Sequence, residues 1–265
     1  MNIHNITTLL DHAITWAREA GSVQLEYFRS INLNIESKFN DSDIVTAADK
    51  ASERVIINHI HTTYPTHAIL SEEMGHNDAT SDYRWLIDPL DGTTNFSNGL
   101  PLFSVSIALE YQGEVIIGVV YAPYLNEMFY ATKGGGAWLN GTKISPSGKS
   151  NLGLSVVTTG FPVDKDRTND NNLDNVARIL PLVRGMRRLG SAAIDLCYVA
   201  AGFLDGYWEM NLHEWDVAAG RLIVEEAGGR YAPFRYDRNV SVLASTPLIF
   251  EQLFSLLSDK PFIPH

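Results

Sequence analysis

Two aspartates, Asp88 and Asp91, stand in the run Trp85-Leu86-Ile87-Asp88-Pro89-Leu90-Asp91-Gly92-Thr93-Thr94-Asn95-Phe96. Trp85-Leu86-Ile87 reads as a short buried strand that ends at Asp88. Pro89 fixes its own φ and pushes Asp88 to an extended conformation, so the chain can turn and bring Asp91 back beside Asp88. Gly92 permits a tight backbone there. Thr93 and Thr94 suit the start of a short helix or turn, where free backbone N–H groups bind phosphate. Two carboxylates beside a phosphate would repel it. They make chemical sense with hard cations between them, because Mg²⁺ takes oxygen ligands and substrate phosphate together. Asp-Gly is common in ordinary turns, but a turn alone does not account for a second Asp at the strand end with two threonines following.

Other acidic residues can join this pair. Glu72-Glu73 follows the strand Ala68-Ile69-Leu70; neighbours in an extended segment point opposite ways, so one of the two is expected to face a shared site. Asp216 follows Trp215 at the start of a helix over 215–227, where a carboxylate is favourable for the helix alone. Glu209 lies seven residues before Asp216.

The composition sets limits. A formal charge of -11, from 31 acidic and 20 basic residues, argues against a nucleic-acid backbone as the main partner. An acidic chain still binds phosphate when cations sit between. The 265 residues fit one large domain or two ordinary ones. The single cysteine, Cys197, excludes an intramolecular disulfide and a Cys-based zinc site, and reads as a small buried hydrophobe in a helix. Met1-Asn2-Ile3-His4-Asn5 lacks the basic and apolar regions of a secretory signal, and no apolar run approaches bilayer length. A soluble, cytoplasmic protein without membrane contact is expected.

The elements that must position these residues follow from periodicity. Residues 6–28 read as an amphipathic helix with Ile6, Leu9, Leu10, Ala13, Ile14, Ala17, Ala20, Val23, Leu25 and Phe28 on its stripe. Residues 46–62 read as a second helix started by Thr46 and Asp49. Ser104–Leu109 and Val115–Tyr121 are β-rich around a Gln112-Gly113 turn, and Glu127–Thr132 and Ala137–Leu139 continue the pattern around Gly134-Gly135-Gly136, as an antiparallel meander. The style changes near residues 140–150. A strand is expected over 154–159, a polar loop over Asp164–Asn175, helices over 173–182, 191–201 and 215–227, and a strand near 206–210. Runs of helices and of strands imply a layered α+β architecture, divided into an N-terminal metal and phosphate subdomain (1–145) and a C-terminal substrate subdomain (146–265).

Together these residues resemble the inositol monophosphatase family of magnesium-dependent, lithium-sensitive phosphatases. The family's first motif, aromatic-x-x-Asp-Pro-hydrophobic-Asp-Gly-Thr-x-x-Phe, stands as Trp85 to Phe96. The second, Trp-Asp-x-Ala followed by small residues and ending in Gly-Gly, stands as Trp215 to Gly220 with Gly228-Gly229. Lys38, Asp43, Thr46 and Asp49 match the family's Lys-x4-Asp-x2-Thr-x2-Asp region. The resemblance covers nearly the whole chain. It implies the αβαβα sugar-phosphatase fold with alternating helix and sheet layers, and two to three Mg²⁺ ions. Glu72, Asp88 and the Leu90 carbonyl would hold one Mg²⁺; Asp88, Asp91 and Asp216 a second; Glu72 and waters would share a third. Thr93, paired with Asp49, would orient and deprotonate the attacking water, with Glu72 beside them. Gly92 and Thr93 would offer N–H groups to phosphate. Gly190, Ser191, Ala192, Glu209 and Asp216 would meet the substrate alcohol. Lys38 would lie near the metal site.

The resemblance implies hydrolysis of myo-inositol monophosphate, or of another small phosphorylated polyol or sugar. Relatives with the same metal machinery act on fructose-1,6-bisphosphate, 3'-phosphoadenosine 5'-phosphate or histidinol phosphate. An acidic Glu209 can accept from two polyol hydroxyls, which favours inositol phosphate. A different class is a regulatory or interaction protein on this fold, since some members are thought to bind transcription or RNA machinery. The family's habit suggests a homodimer, and Arg184, Arg187 and Arg188 form a small basic cluster consistent with one. His213-Glu214 lacks the second histidine of a zinc-protease motif, and Gly134-Gly135-Gly136 lacks the Lys-Ser/Thr of a P-loop.

Overall fold

The computed structural model describes residues 3–31, 33–39, 43–77 and 79–258. Its first helix, α1 (Ile3–Tyr27), turns Leu9, Ala13, Trp16, Ala17 and Ala20 inward. Gln24 continues that buried row, whereas Leu25, placed on the stripe from sequence, is 41% exposed. A small ribbon, β1 (Glu36–Ser37) and β2 (Ile44–Val45), precedes α2 (Ala47–Thr63). Thr46 and Asp49 form a capping box at the start of α2: the Asp49 carboxylate accepts the Thr46 N–H while the Thr46 hydroxyl accepts from Ala48.

The larger sheet is built from β3 (Ala68–Ser71), β4 (Gly75–His76), β5 (Tyr83–Asp91), β6 (Ser104–Tyr111), β7 (Glu114–Ala122), β8 (Glu127–Thr132), β9 (Gly136–Leu139) and β10 (Thr142–Lys143). The spatial order is β10-β9-β8-β7-β6-β5-β3-β4. From β5 onward it is the antiparallel meander that the alternation predicts, and β3 adds parallel to β5. Gln112 and Gly113 both have positive φ, 52° and 81°, the two-residue hairpin geometry that matches strand twist. A short helix, α3 (Thr93–Ser97), joins β5 to β6.

The second sheet contains β11 (Val156–Thr159), β12 (Gly185–Arg187), β13 (Gly206–Leu212), β14 (Arg230–Pro233) and β15 (Val240–Ser245), ordered β12-β11-β13-β15-β14. Its helices are α4 (Leu173–Ile179), α5 (Ala192–Ala200), α6 (Glu214–Ala227) and α7 (Phe250–Ser258). The strand expected over 154–159 begins two residues later, after a 3-10 turn at Leu152–Leu154. The helix expected over 173–182 stops at Ile179 and tightens to a 3-10 turn, because Pro181 has no N–H for the α ladder.

Helices α5 and α6 lie between the sheets. Their Leu196 and Ile223 share a core with Leu86, Val120 and Phe129 of the first sheet and Tyr207, Val242 and Ala244 of the second. Helix α6 lies flush on β7: a Cβ at Gly118 would stand 2.6 Å from the Ala219 carbonyl oxygen. Helices α1 and α2 cover the other face of the first sheet around Trp85, Ile87 and Ile107. Helices α4 and α7 cover the second around Trp208 and Leu243. The layers therefore run αβαβα, as expected. Cys197 is buried in α5. Among the described residues no helix is long and apolar enough to cross a membrane.

Candidate active site

Strand β5 does not end at Asp88. It continues to Asp91 through a bulge: Asp88 faces Ser106 and Asp91 faces Ser104, leaving one extra residue on β5. Pro89 sits inside this bulge, where the ladder requires no N–H. The Pro89–Leu90 peptide unit is held at both ends. Its carbonyl accepts from Gln24 Nε2 at 2.6 Å, and its N–H donates to Asp88 Oδ1 at 3.0 Å. Gln24 Nε2 also lies 3.5 Å from the Ser104 carbonyl, and its Oε1 is buried with no partner among the described residues. The amide that Gln24 donates ties the bulge to α1. Gly92 follows with φ 93°, and a Cβ there would meet the Leu102 carbonyl oxygen at 2.9 Å. Glycine alone fits both the left-handed backbone and the close approach. The first-turn N–H groups of α3 have no intrahelical acceptor.

Asp88, Leu90, Asp91, Gly92 and Thr93 form the floor of a cavity of about 330 Å³, lined also by Lys38, Asp43, Glu72, Glu209 and Asp216. Asp88 is 2% exposed, and its carboxyl lies well above the usual range through burial first and then the charges of Glu72, Asp91 and Asp216. Loss of hydration raises Asp216 in the same way, although the His213 N–H reaches its Oδ2 at 2.7 Å. Asp91 is pushed up to about 6 by desolvation, against hydrogen bonds from the Ser191 hydroxyl and the Ala193 N–H (2.8 Å) at the start of α5. Glu72 and Glu73 occupy a turn rather than a continuing strand. Glu72 lines the cavity, yet both carboxylates meet Lys38, with Nζ 2.9 Å from Glu72 Oε1. Lys38 is thus paired, not simply solvated. Burial works against its charge, but Glu72 and Glu73 hold its ammonium above the ordinary range.

Thr93 joins the floor to α2. Its Oγ1 lies 3.0 Å from Asp49 Oδ1 and 3.0 Å from the Leu90 carbonyl. Burial lifts Asp49 to about 6 despite its hydrogen bonds from Thr46. At the other end a smaller cavity of about 130 Å³ brings Gly190, Ser191 and Ala192 together with Glu209, Asp216 and Arg188. Glu209 Oε2 accepts from the Tyr207 hydroxyl at 2.8 Å, and desolvation moves Glu209 up to about 7. Ser191 is the N-cap of α5 and donates to Asp91, so part of its hydrogen bonding is already committed.

The inositol monophosphatase family model matches residues 5–256. The chain belongs to the inositol monophosphatase family. The protein named Nus factor SuhB of Pasteurella multocida is 44% identical over 253 residues, covering 93% of this chain and 94% of that one. The solved inositol monophosphatase of Anabaena superposes with TM-score 0.87 at 38% identity, covering 97% and 98%. SaIMPase-II with inositol monophosphate bound superposes with TM-score 0.78 at 26% identity, covering 94% of each chain.

Inositol monophosphatases are generally Mg²⁺-dependent. The donors here suit such an ion chemically: Glu72, Asp88, Asp91 and Asp216 offer anionic oxygen, and Lys38 is the cation of the cavity lining. Among the described residues, however, no three His, Cys, Asp or Glu side chains close on a single point at ligating distance. The carboxylates line the cavity without forming a tight cage. Residues missed from sequence are Gln24 and the wall Phe161-Pro162-Val163. The signal for Gln24 was present, as a polar residue four positions after Ala20 on the inward row of α1.

Proposed function

We propose that this chain is a Mg²⁺-dependent phosphatase of small phosphate monoesters, with myo-inositol monophosphate as the substrate to test first. The observation that carries the reading is one cavity lined by Glu72, Asp88, Asp91 and Asp216 and by Thr93, whose hydroxyl is tied to Asp49. Bound by those carboxylates, Mg²⁺ would supply a lowered pKa for water and neutralise charge on the phosphate. The chain's own groups supply orientation and proton transfer. Both neighbours of Thr93 Oγ1 are acceptors, so its hydrogen goes to one of them and its lone pairs remain for the O–H of a water. In the proposed step the water passes a proton to Thr93 as Thr93 passes its own to Asp49. The water oxygen then attacks phosphorus, the bond to the alcohol oxygen breaks, and that oxygen takes a proton from solvent water to leave as the alcohol. Gly92 and Thr93 N–H groups hold the phosphate. Gly190, Ser191, Ala192, Asp216 and Glu209 hold the alcohol. Glu209 keeps Oε1 for substrate hydroxyls because Tyr207 occupies Oε2. A homodimer belongs to the same proposal.

Phosphate release from a panel of monoesters, with and without Mg²⁺ and then with Li⁺, tests this. Mg²⁺-dependent release from inositol monophosphate, suppressed by Li⁺, is expected. Preference for fructose-1,6-bisphosphate, 3'-phosphoadenosine 5'-phosphate or histidinol phosphate would replace the substrate. A second reading draws on the relative named Nus factor SuhB: a regulatory or interaction role on the same fold. Absence of release from every monoester would leave that reading in possession of the site.

A further inference from the structure

One wall of the cavity comes from no acidic residue. Phe161, Pro162 and Val163 open the loop that joins β11 to α4. The loop is pinned at its two ends. Gly160 lies against the Glu209 carboxylate so closely that a Cβ would stand 2.0 Å from it. Asn172, 3% exposed, donates to the Gly160 carbonyl at 2.6 Å and to Thr159 Oγ1 at 2.8 Å, and accepts from Trp208 Nε1 at 2.9 Å. Between these pins two turns hold the backbone, Lys165 N–H to Pro162 O and Arg167 N–H to Asp164 O.

A further hold comes from the hairpin joining β14 to β15. Arg238 Nη2 lies 2.7 Å from each oxygen of Asp164, and its Nη1 lies 2.7 Å from the Asp170 carbonyl oxygen. Arg235 Nη1 donates to Asp170 Oδ1 at 2.8 Å while its other edge pairs with Asp237. The Arg238 and Asp170 side chains are 15% and 20% exposed, so the centre of this network is shielded. The Arg238 guanidinium reaches Asp164 through Nη2 and the Asp170 carbonyl through Nη1 at once, which holds geometry better than a point charge does. A connected, shielded network also escapes the near-zero value of isolated surface pairs.

We propose that Arg238 and Arg235 are positioning residues for substrate: they hold the loop so that Phe161-Pro162-Val163 stand as a fixed apolar wall beside Glu209, against the leaving alcohol. The substrate class this fits is a ring alcohol that turns C–H groups to the wall and hydroxyls to Glu209. That part rests on the phosphatase reading; the clamp itself does not.

The test uses Arg238→Asp, Asp164→Arg and the double variant that restores the pair with charges exchanged. A lysine-specific protease cutting after Lys165, with the cut mapped by mass spectrometry, reports loop order without substrate. Each single variant is expected to be cut roughly three- to tenfold faster, and to raise KM for inositol monophosphate by a similar factor with kcat nearly unchanged. The double variant is expected to recover both in part, because it restores the ion pair with position 164 but cannot donate to the Asp170 carbonyl. Arg238→Lys is expected to keep only part of the hold, because one ammonium does not serve Asp164 and that carbonyl as two guanidinium nitrogens do. Should Arg238→Asp fail to fold, Arg238→Gln removes the charge without reversing it. Unchanged cutting at Lys165 in a folded single variant overturns the clamp. Faster cutting with unchanged KM overturns the substrate role. Wild-type phosphate release, measured beside them, judges the phosphatase reading separately.

Discussion

The floor and the wall of one cavity are held by opposite means. The floor, from Asp88 to Thr93, is fixed by backbone: a bulge around Pro89, a left-handed Gly92, and a peptide unit gripped by Gln24 on one side and Asp88 on the other. The wall, Phe161 to Val163, is steadied by ion pairs between partners 65 to 74 positions apart. Chemistry on phosphate needs oxygens at fixed points, and conformations that only Pro and Gly adopt readily give little freedom to drift. A binding wall needs shape, which exchangeable side chains can hold. Damage to the floor should therefore appear in turnover, and damage to the wall in KM.

The largest effect is expected from Asp88→Asn. Removing one charged oxygen donor from the floor should lower Mg²⁺-dependent phosphate release by about 10³-fold or more. The same change should raise the thermal midpoint measured in chelator. Asp88 has a folded pKa raised above its unfolded value, so at neutral pH the fold resists its charge, and asparagine removes that resistance. A gain of about 0.5–2 kcal/mol is of the usual size for relieving a functional site. Activity retained, or no gain in chelator, would break the view of the floor as strained for chemistry.

Gly92→Ala comes next. Its φ of 93° and the 2.9 Å approach to the Leu102 carbonyl oxygen leave no room for a methyl group, so α3 must shift. A displacement of about 1 Å costs roughly 100-fold in rate. Phosphate release from folded variant, checked by circular dichroism, measures it; a loss under tenfold would mean the floor tolerates movement.

The same contrast explains what the sequence made legible. Asp88, Pro89, Asp91 and Gly92 are neighbours in the chain, so residue type and spacing carried the bulge's chemistry, though not its continuation as strand to Asp91. Asp216 and Glu209 were reachable because a motif fixes their order. The wall was not legible. Nothing near Asp164 or Asp170 signals that arginines from a distant hairpin will meet them, and β14, β15 and α7 lie beyond the last element assigned from sequence. Val240–Ser245 is a short, largely apolar run that is buried on both faces, and could have been read as a strand. Gln24 was passed over because the helical stripe was filled with its apolar neighbours Val23 and Leu25.

Thr93→Ala separates proton transfer from metal holding within the floor. The variant loses the hydroxyl that bridges Asp49 and the Leu90 carbonyl but keeps every carboxylate. Turnover is expected to fall by the lower end of the general-base range, roughly 100-fold. Mg²⁺ affinity by calorimetry should stay within about twofold. Unchanged turnover would remove Thr93 from the mechanism, and equal loss of both would make it a structural support.

The smallest effect lies at the far end of β5, and its sign sets it apart from the floor. The His67 ring is stacked between Tyr64 (4.7 Å) and Tyr83 (4.6 Å), and its Nδ1 accepts the Trp85 Nε1–H at 3.1 Å. Burial lowers its pKa from the ordinary 6.5. The unfolded chain therefore takes the proton first, and the stability His67 contributes above pH 6.5 is lost as pH falls through the window beneath it. Floor carboxylates such as Asp91, raised to about 6, behave oppositely: the fold binds their proton first, so they add stability as pH falls from neutral. Comparing thermal midpoints of wild type and His67→Phe from pH 7.5 to 5 cancels the carboxylate contribution, which both proteins share. The wild type should lose ground to the variant as pH drops, by a few degrees at most for one partly exposed group. A constant difference across that range would mean that His67 keeps its Trp85 bond whatever its charge, which an Nδ1 acceptor cannot do once protonated.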